Sequence, residues 1–296
     1  MPATQINIYY EQKKKQDLIA IDQLALKANK LVVCWTSNDF GITPKVLNNF
    51  HLYRGGGYAS RNKGNEFISG MYNNDPLEKF YQLEVGVITE KTQKPIIGFC
   101  GQAKASIINT STEILSKLYF LFMHKMGLRI YDAEKIISTT YVRSKLLSVL
   151  EKSALVETRF IKHKKYRGGV VTAEQKEASS RMFYENMRNT QYTLCYRGNG
   201  NFSIRLYETL GMGRIPIIVM SDNCLPFPEI IDWSIFPIIH ENEYGQIAGL
   251  VSNFHQQLST EQFVSLQKRS REIFENHVSY KGFMQTFVDK YKRLTH

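Results

Sequence analysis

A glycine-containing loop and the helix pattern after it hold the side chains of this chain best suited to chemistry. The loop reads Arg197-Gly198-Asn199-Gly200-Asn201, and its two glycines allow backbone N–H groups to approach a ligand closely. Arg205 falls in the first turn of the predicted helix, and Glu208 follows three residues later on the same face. Helix N-terminal amides and a guanidinium bind phosphate, and a carboxylate one turn behind can accept hydrogen bonds from ribose hydroxyls. The spacing therefore suits a nucleoside diphosphate.

A structural interpretation of the same two side chains stays open. An arginine and a glutamate three residues apart on an exposed helix commonly form a surface ion pair that binds no ligand. The spacing of Arg205 and Glu208 alone does not decide between the two interpretations.

The elements that must position these side chains form a predicted βαβ unit. An apolar run with glycines on either side is typical of a parallel strand covered on both faces, and an amphipathic run between two such strands is typical of a crossover helix. Asn201 or Ser203 is the expected N-cap of this helix, and Gly211 or Gly213 is its expected end. The three predicted elements are the strand Tyr192–Tyr196, the helix Ser203–Leu210 and the strand Ile215–Met220.

The whole stretch resembles the exostosin family, glycosyltransferase family 47. That family has a strand ending in a glycine loop, Ser-x-Arg-x-x-Glu, a Gly-x-x-Pro-Val-Ile strand, Leu-Pro-Phe and then a tryptophan. The matching pieces occur in this order at the family's offsets over about forty residues: Arg197-Gly198, Ser203 to Glu208, Gly213 to Ile218, Leu225-Pro226-Phe227 and Asp232-Trp233. A weaker likeness lies upstream, in the strand and glycine turn Pro95–Gly101 and in Arg143.

The resemblance implies an inverting glycosyltransferase of the GT-B architecture that uses a nucleotide sugar, a UDP-sugar by expectation. The donor would bind to the second domain, and the acceptor, a glycan or a lipid-linked saccharide, to the first. No cofactor beyond the donor is expected. The predicted donor-binding residues are Arg143, Arg197, Gly198, Asn199, Gly200, Asn201, Ser203, Arg205 and Glu208, with Lys104 a weaker candidate.

The chain contains no Asp-x-Asp motif, which other glycosyltransferases use to hold a metal ion. Cationic side chains and helix N-termini can stabilise the departing diphosphate instead, so Arg205 is the predicted electrostatic catalyst and no metal site is expected. Asp39, which follows a predicted strand, and Glu66, placed in a loop, are candidate general bases, with His51 an alternative. Each of them has an ordinary structural interpretation, such as an Asx turn for Asp39 or a packed side chain for His51. Glu229, Asp232 and Trp233 either shape a sugar pocket or pack.

Strands and helices alternate along the chain in two blocks. This predicts an α/β, GT-B-like fold of two Rossmann-like, doubly wound domains that face a cleft. The predicted domains are 1–94 on the acceptor side and 95–278 on the nucleotide-sugar side, with a helix at 279–296 that returns to the first domain. The predictions include strands at Ile6–Tyr10, Val46–Arg54 and Leu83–Ile88, and a buried helix segment at Leu118–Met123.

Composition and charge limit the remaining possibilities. The 38 basic against 27 acidic residues give a net charge of +11, which suits acidic donors and peripheral contact with an anionic membrane. No nucleic-acid-binding pattern accompanies the charge, so no nucleic acid partner is expected. Four widely spaced cysteines, no signal peptide and no apolar run of membrane-spanning length lead to an expectation of a cytoplasmic enzyme, at most peripheral to the inner membrane face. The alternatives are a fucosyltransferase-like GT-B enzyme that uses a GDP-sugar, and a non-catalytic glycan-binding or partner subunit of the same fold.

Overall fold

The computed structural model describes residues 3–69, 74–82 and 87–293. Its strands belong to two parallel sheets. The strands are β1 (Ala3–Gln5), β2 (Val32–Trp35), β3 (Phe50–Arg54), β4 (Glu66–Ile68), β5 (Ile96–Gln102), β6 (Glu157–His163), β7 (Tyr192–Cys195), β8 (Ile215–Met220) and β9 (Ile238–His240). The α-helices are α1 (Ile6–Glu11), α2 (Lys15–Lys27), α3 (Pro76–Tyr81), α4 (Ile107–Lys125), α5 (Thr139–Lys152), α6 (Ala173–Arg188), α7 (Ile204–Gly211), α8 (Ile247–Gln257), α9 (Thr260–Ile273) and α10 (Tyr280–Arg293).

The order of strands within the sheets confirms the predicted α/β, GT-B-like fold. The first sheet has the order β1-β2-β3-β4, and the second has the order β6-β5-β7-β8-β9. In the second sheet the chain first winds one way from β5 and then the other way through β7, β8 and β9, which is a doubly wound order. The point where the winding reverses lies between β5 and β7, and ligands in such sheets bind at this crevice, outside the carboxyl ends of the strands.

The main hydrophobic core belongs mostly to the second sheet. The side chains of β8 are buried up to the last residue, as expected of a strand with both faces covered. A smaller core under the first sheet includes Ile6, Leu18 and Leu52. The helix α10 packs on the first sheet, because the Tyr291 hydroxyl lies 2.7 Å from His51 Nδ1 in β3.

Three strand predictions need correction or fall outside the described residues. Ile6–Tyr10 is wrong as a strand: these residues lie in α1, where burial of Ile6, Asn7 and Tyr10 follows helical spacing, and the strand is the preceding Ala3–Gln5. The strand predicted at Val46–Arg54 begins only at Phe50, because the backbone N–H groups before it donate to Asp22. Most of the strand predicted at Leu83–Ile88 lies outside the described residues.

The segment Leu118–Met123 is helical, as predicted, but the prediction that it is buried is wrong. These residues lie in the helix α4, but no residue of α4 is buried, and Leu118 and Phe122 are exposed. An apolar run shows that a segment prefers an apolar environment, and it does not show whether this chain alone provides one.

Glu66 was predicted to lie in a loop, and it lies in the strand β4. The domain boundary at 94/95 stays a prediction, and the described strands of the two sheets fall on either side of it.

Candidate active site

The carboxyl edges of the two sheets meet, so loops from both line one crevice. The Ala59 N–H, in the loop after β3, donates to the Asp222 carbonyl after β8 at 2.8 Å. The Asn201 side-chain amide, in the loop after β7, donates to the Gly57 carbonyl at 3.1 Å. Since ligands of parallel sheets bind at the carboxyl ends of strands, this crevice is where the fold leads us to look for a ligand.

Arg143 lies at the point of the second sheet where the winding reverses. Its guanidinium donates to the carbonyl of Gln102, the last residue of β5, at 2.7 Å, and to the carbonyl of Arg197, just after β7, at 2.7 Å. Desolvation, followed by the nearby Arg205 cation, lowers the pKa of Arg143 to about 10. Its buried Nε atom finds no hydrogen-bond partner among the residues that the structure describes. Two cations that lie side by side at strand ends have the charge to bind an anion.

Arg205 is the second cation at this point. It extends from the first turn of α7, and its Nη2 donates to the Cys100 carbonyl of β5 at 2.9 Å. The guanidinium stacks over the Phe99 ring, with 4.3 Å from Cζ to the ring centroid. A Cβ at Gly101 would lie 2.8 Å from Nη2, so a glycine there gives the guanidinium its space. The structure thus brings two predicted donor-binding arginines, Arg143 and Arg205, to the same strand ends.

Arg197 differs from the other two arginines because a carboxylate already neutralises it. Its side chain is buried and pairs with Glu134, and it also donates to the Tyr58 hydroxyl at 3.1 Å. Desolvation lowers the pKa of Arg197, but Glu134 and Tyr58 outweigh it, and the pKa is raised overall. Neither Glu134 nor Tyr58 was singled out in the sequence, since they come from segments far from Arg197 and follow no local spacing. Arg197 therefore links the loop after β7 to the segment after β3 from a buried position.

The glycine loop is shaped by its contacts with the first sheet. Gly200 lies against the carbonyl of Asp39, so close that a Cβ would be 2.1 Å from that oxygen. The Asn201 side chain accepts from the Ser221 hydroxyl at 2.7 Å. The Gly198 N–H donates to the Phe202 carbonyl at 3.0 Å and is thus satisfied within the loop, whereas Asn199 is exposed. Asn201 and Gly200 therefore hold the loop in place.

The N-terminus of α7 faces the same region. Ser203 occupies the N-cap position, but its hydroxyl makes no capping hydrogen bond within the described part of the chain. The first-turn amides of α7 therefore have no side-chain cap, as an anion site requires. Glu208, one turn further, accepts from the Tyr184 hydroxyl of α6 at 3.1 Å. Lys104 lies just after β5 and is exposed.

The three candidate bases have very different surroundings. Asp39, in the loop after β2, is exposed at the crevice, and partial burial followed by the Glu134 charge raises the pKa of its carboxyl. Glu66 forms a 3.0 Å ion pair with Arg54, and both side chains are largely buried. His51 contacts Tyr291, and burial followed by Lys290 lowers its pKa. Only Asp39 combines access to the crevice with a carboxylate that is not tied to an arginine by a described ion pair.

A separate cavity of about 560 Å³ opens between β4 and the segment after β8. The Trp233 indole lines it and donates to the Pro226 carbonyl at 2.9 Å. Glu229 pairs with Lys290 of α10, at 2.9 Å, and Asp232 caps the turn at Ser234. The volume suits a small ligand, since pockets for such ligands have volumes of about 300–1,000 Å³. Its polar lining residues include Asn62, Glu66, Glu229 and Asp232.

No helix among the described residues has both the length and the apolar character needed to cross a bilayer. Across the same residues, no cluster of three or more His, Cys, Asp or Glu side chains has the arrangement of a metal site.

Known proteins similar to this chain include two from Oryza sativa subsp. japonica. "Probable glucuronosyltransferase GUT1" is 32% identical over 72 residues, which are 24% of this chain and 17% of that protein. "Probable glucuronosyltransferase Os02g0520750" is 34% identical over 61 residues, 21% of this chain and 14% of that protein. The matched stretches are thus less than a fifth of the length of either relative.

Solved structures of TarM show a distant likeness. A mutant of S. aureus TarM in complex with Fondaparinux, alpha-GlcNAc-glycerol and UDP has a TM-score of 0.35 and 8% identity, over 87% of this chain and 55% of that one. A second TarM structure has a TM-score of 0.30 and 12% identity, over 88% of this chain and 54% of that one. The fold assignment rests on the two sheets described above.

The family model of the Exostosin GT47 domain matches residues 60–246, well over half of the chain. The matched range contains Arg143, Arg205 and Glu208 and excludes Asp39. The chain therefore belongs to the exostosin family, glycosyltransferase family 47.

Proposed function

We propose that this chain transfers a sugar from a nucleoside-diphosphate sugar, a UDP-sugar by preference, to a hydroxyl of a glycan or lipid-linked acceptor. The observation that carries the proposal is the meeting of Arg143 and Arg205 where the winding of the second sheet reverses. Two cations at the carboxyl ends of β5 and β7, beside the first turn of α7, suit a diphosphate. Membership of the exostosin family supports the reaction class.

The proposed reaction is a single displacement at the anomeric carbon. The acceptor oxygen forms the new glycosidic bond, the bond from the anomeric carbon to the diphosphate oxygen breaks, and the configuration inverts. Arg205, Arg143 and the amides at the start of α7 stabilise the charge that develops on the diphosphate. Asp39 takes the proton of the acceptor hydroxyl, and Glu208 accepts hydrogen bonds from the ribose of the donor.

A thermal-shift comparison of UDP-, GDP-, CMP- and dTDP-sugars tests the donor class, because a ligand that binds only the native state raises the melting temperature. We expect the largest shift with a UDP-sugar. Arg205→Ala should weaken nucleotide binding by about 1.5–3 kcal/mol, roughly 10- to 150-fold, and Arg205→Lys should recover only part of the loss. Arg269, an exposed arginine paired within α9, provides the control Arg269→Ala. Unchanged nucleotide affinity in Arg205→Ala would remove this residue from the site.

The transfer is proposed to need no metal ion, because arginines and helix amides supply the positive charge for the leaving group. Activity should therefore survive exhaustive treatment with EDTA followed by gel filtration. Complete loss of activity that Mn²⁺ or Mg²⁺ restores would contradict this leaving-group mechanism.

A further inference from the structure

The helix α4 carries an apolar face that the described parts of the chain leave uncovered. Ile108, Leu115, Tyr119, Phe122 and Met126 recur at helical spacing and lie on one side of the helix, which we call the outer face of α4. Their side chains are 74%, 64%, 57%, 58% and 60% exposed, respectively. Single exposed apolar residues are ordinary, but a contiguous stripe of five marks a surface for a partner or a membrane.

The opposite side of α4 holds the candidate active site in place. Glu113 accepts hydrogen bonds from the hydroxyls of Ser138 and Thr140, at the start of α5, which carries Arg143. The Lys117 ammonium donates to the Ile137 carbonyl at 2.7 Å. Glu113 and Lys117 thus tie one side of α4 to the segment before and at the start of α5, and the outer face lies on the opposite side of the helix.

Charge around the outer face favours one occupant. Glu113 is the only acidic residue of α4, and it is engaged on the inner side. Lys125 at the end of the helix is exposed, and the loop that follows contacts α1 through the bond from the Tyr131 hydroxyl to Glu11. After Glu11 and Gln12 comes a lysine cluster, the three exposed residues Lys13, Lys14 and Lys15. The outer face therefore carries no acidic side chain, α4 ends in an exposed lysine, and the loop after α4 contacts α1 two residues before the lysine cluster begins.

We infer that the outer face of α4 binds the surface of an anionic lipid bilayer. Apolar and aromatic side chains on one face, with lysines at its border, are the features of a helix that lies in the membrane interface. Each lysine near an anionic surface adds attraction that salt weakens. The occupant would cover a face that is one helix away from Arg143, which suits an acceptor that is itself anchored in the bilayer. That last point alone rests on the proposed function.

Vesicle co-sedimentation of the full chain tests this inference. Vesicles prepared from phosphatidylcholine with about 30% phosphatidylglycerol should bind the protein. Pure phosphatidylcholine vesicles should bind it more weakly, because they offer no negative charge to the lysine cluster. The double variant Leu115→Asp/Phe122→Asp should bind at least about tenfold more weakly, since two side chains can no longer enter the interface. Met182→Asp, at a 46% exposed position of the helix α6, is the matched control and should bind like the wild type.

A second variant separates the contribution of the lysine charges to vesicle binding from the contribution of the apolar side chains. Lys13→Glu/Lys14→Glu should weaken binding to anionic vesicles and reduce its dependence on salt, and it should leave binding to neutral vesicles unchanged. Because all these positions are exposed, the variants should keep the melting temperature of the wild type within about two degrees.

Three results would overturn the inference. The first is wild-type protein that stays in the supernatant with anionic vesicles. The second is equal binding by the wild type and Leu115→Asp/Phe122→Asp. The third is a wild-type dimer, seen by sedimentation velocity, that the same double variant dissociates, which would assign the face to a second copy of this chain. The assay uses neither donor nor acceptor, so its failure is distinguishable from failure of the proposed function.

Discussion

At the scale of single residues, Asp39 is the side chain whose role is most open to measurement. Partial burial and then the Glu134 charge raise the pKa of its carboxyl above the ordinary value of about 3.9. A general base must be deprotonated, so kcat/KM should fall as the pH drops through this raised pKa. Asp39→Asn should lower kcat by about 10²- to 10⁴-fold and abolish this acid limb of the profile.

The same variant separates catalysis from stability. A raised carboxyl pKa gives stability that is present at low pH and lost as the pH rises through the folded-state value, so ionised Asp39 does not stabilise the protein at pH 7. Asp39→Asn should therefore lose activity without a lower melting temperature. A merely structural Asp39 would show the reverse, with unchanged activity and an unchanged pH profile.

Glu208 should act on donor binding and not on the chemical step. Its proposed partner, the ribose, is distant from the bond that breaks, so Glu208→Ala should raise the donor KM by about 5- to 30-fold and change kcat little. Glu208→Gln keeps an acceptor oxygen and should be milder. Tyr184→Phe removes the hydrogen bond from the Tyr184 hydroxyl to Glu208 while keeping the carboxylate, and serves as the control. A fall in kcat alone, or equal use of ribose and deoxyribose donors by the wild type, would contradict the ribose assignment.

At this scale, local spacing correctly predicted which side chains share a helix, and their chemical roles stay predictions. The spacing of Arg205 and Glu208 within one helix is a local property, and the structure places Arg205 at strand ends beside Arg143. The pairing of Arg197 with Glu134 and Tyr58 was not predicted, because it joins residues 63 and 139 positions apart. Contacts of this kind depend on how the two sheets pack against each other, and a short sequence pattern contains no information about that packing.

At the scale of elements, the glycine loop offers a comparison between two of its own residues. A Cβ at Gly200 would meet the Asp39 carbonyl oxygen at 2.1 Å and the Phe202 ring at 2.9 Å, whereas a Cβ at Gly198 would meet nothing within 4 Å. Gly200→Ala should therefore destabilise the protein by about 1–3 kcal/mol and reduce activity, because the Asp39 loop must move. Gly198→Ala should be close to neutral in urea unfolding. Equal stability of the two variants would show that the loops do not meet as described.

Helices and strands were predicted correctly where the hydrophobic pattern and the positions of glycine indicate the same element. The strand β8 has its predicted bounds, and Gly213, with φ of +62°, ends the α7 segment in a left-handed conformation that favours glycine. The helix α1 was predicted as a strand because a short run of Ile and Tyr suits either structure, and packing decided the outcome. The exposure of α4 could not be predicted, because hydrophobicity is a property of the residues and exposure depends on the complete fold.

At the scale of the whole molecule, the two sheets are joined by polar loops on one side and by aromatic packing on the other. The loops contribute the bonds at Asp222, Gly57 and Arg197. The helix α10 contributes rings that pack on Trp35 and Tyr53 of the first sheet. Since α10 contacts both the first sheet and the segment after β8, we expect its packing to affect the crevice as well as stability.

Phe283 is the residue of α10 through which this coupling can be tested. Its side chain is fully buried, and its ring lies 6.1 Å from the Tyr53 ring in β3 and 5.3 Å from the Phe227 ring in the segment after β8, by centroid distances. Phe283→Ala should cost about 3–5 kcal/mol, because a cavity opens where three rings meet. Val288→Ala, at a 39% exposed position of the same helix, should cost far less.

The number of unfolding transitions reports on coupling between the two sheets more directly than the melting temperature does. If α10 couples the two sheets, the wild type should unfold in one calorimetric transition, and Phe283→Ala should separate it into two, because each sheet then loses a shared neighbour. The donor-induced thermal shift should follow the transition of the second sheet, where Arg143 and Arg205 lie. A single transition in Phe283→Ala, with a loss below about 1 kcal/mol, would show that the polar loops alone hold the crevice together.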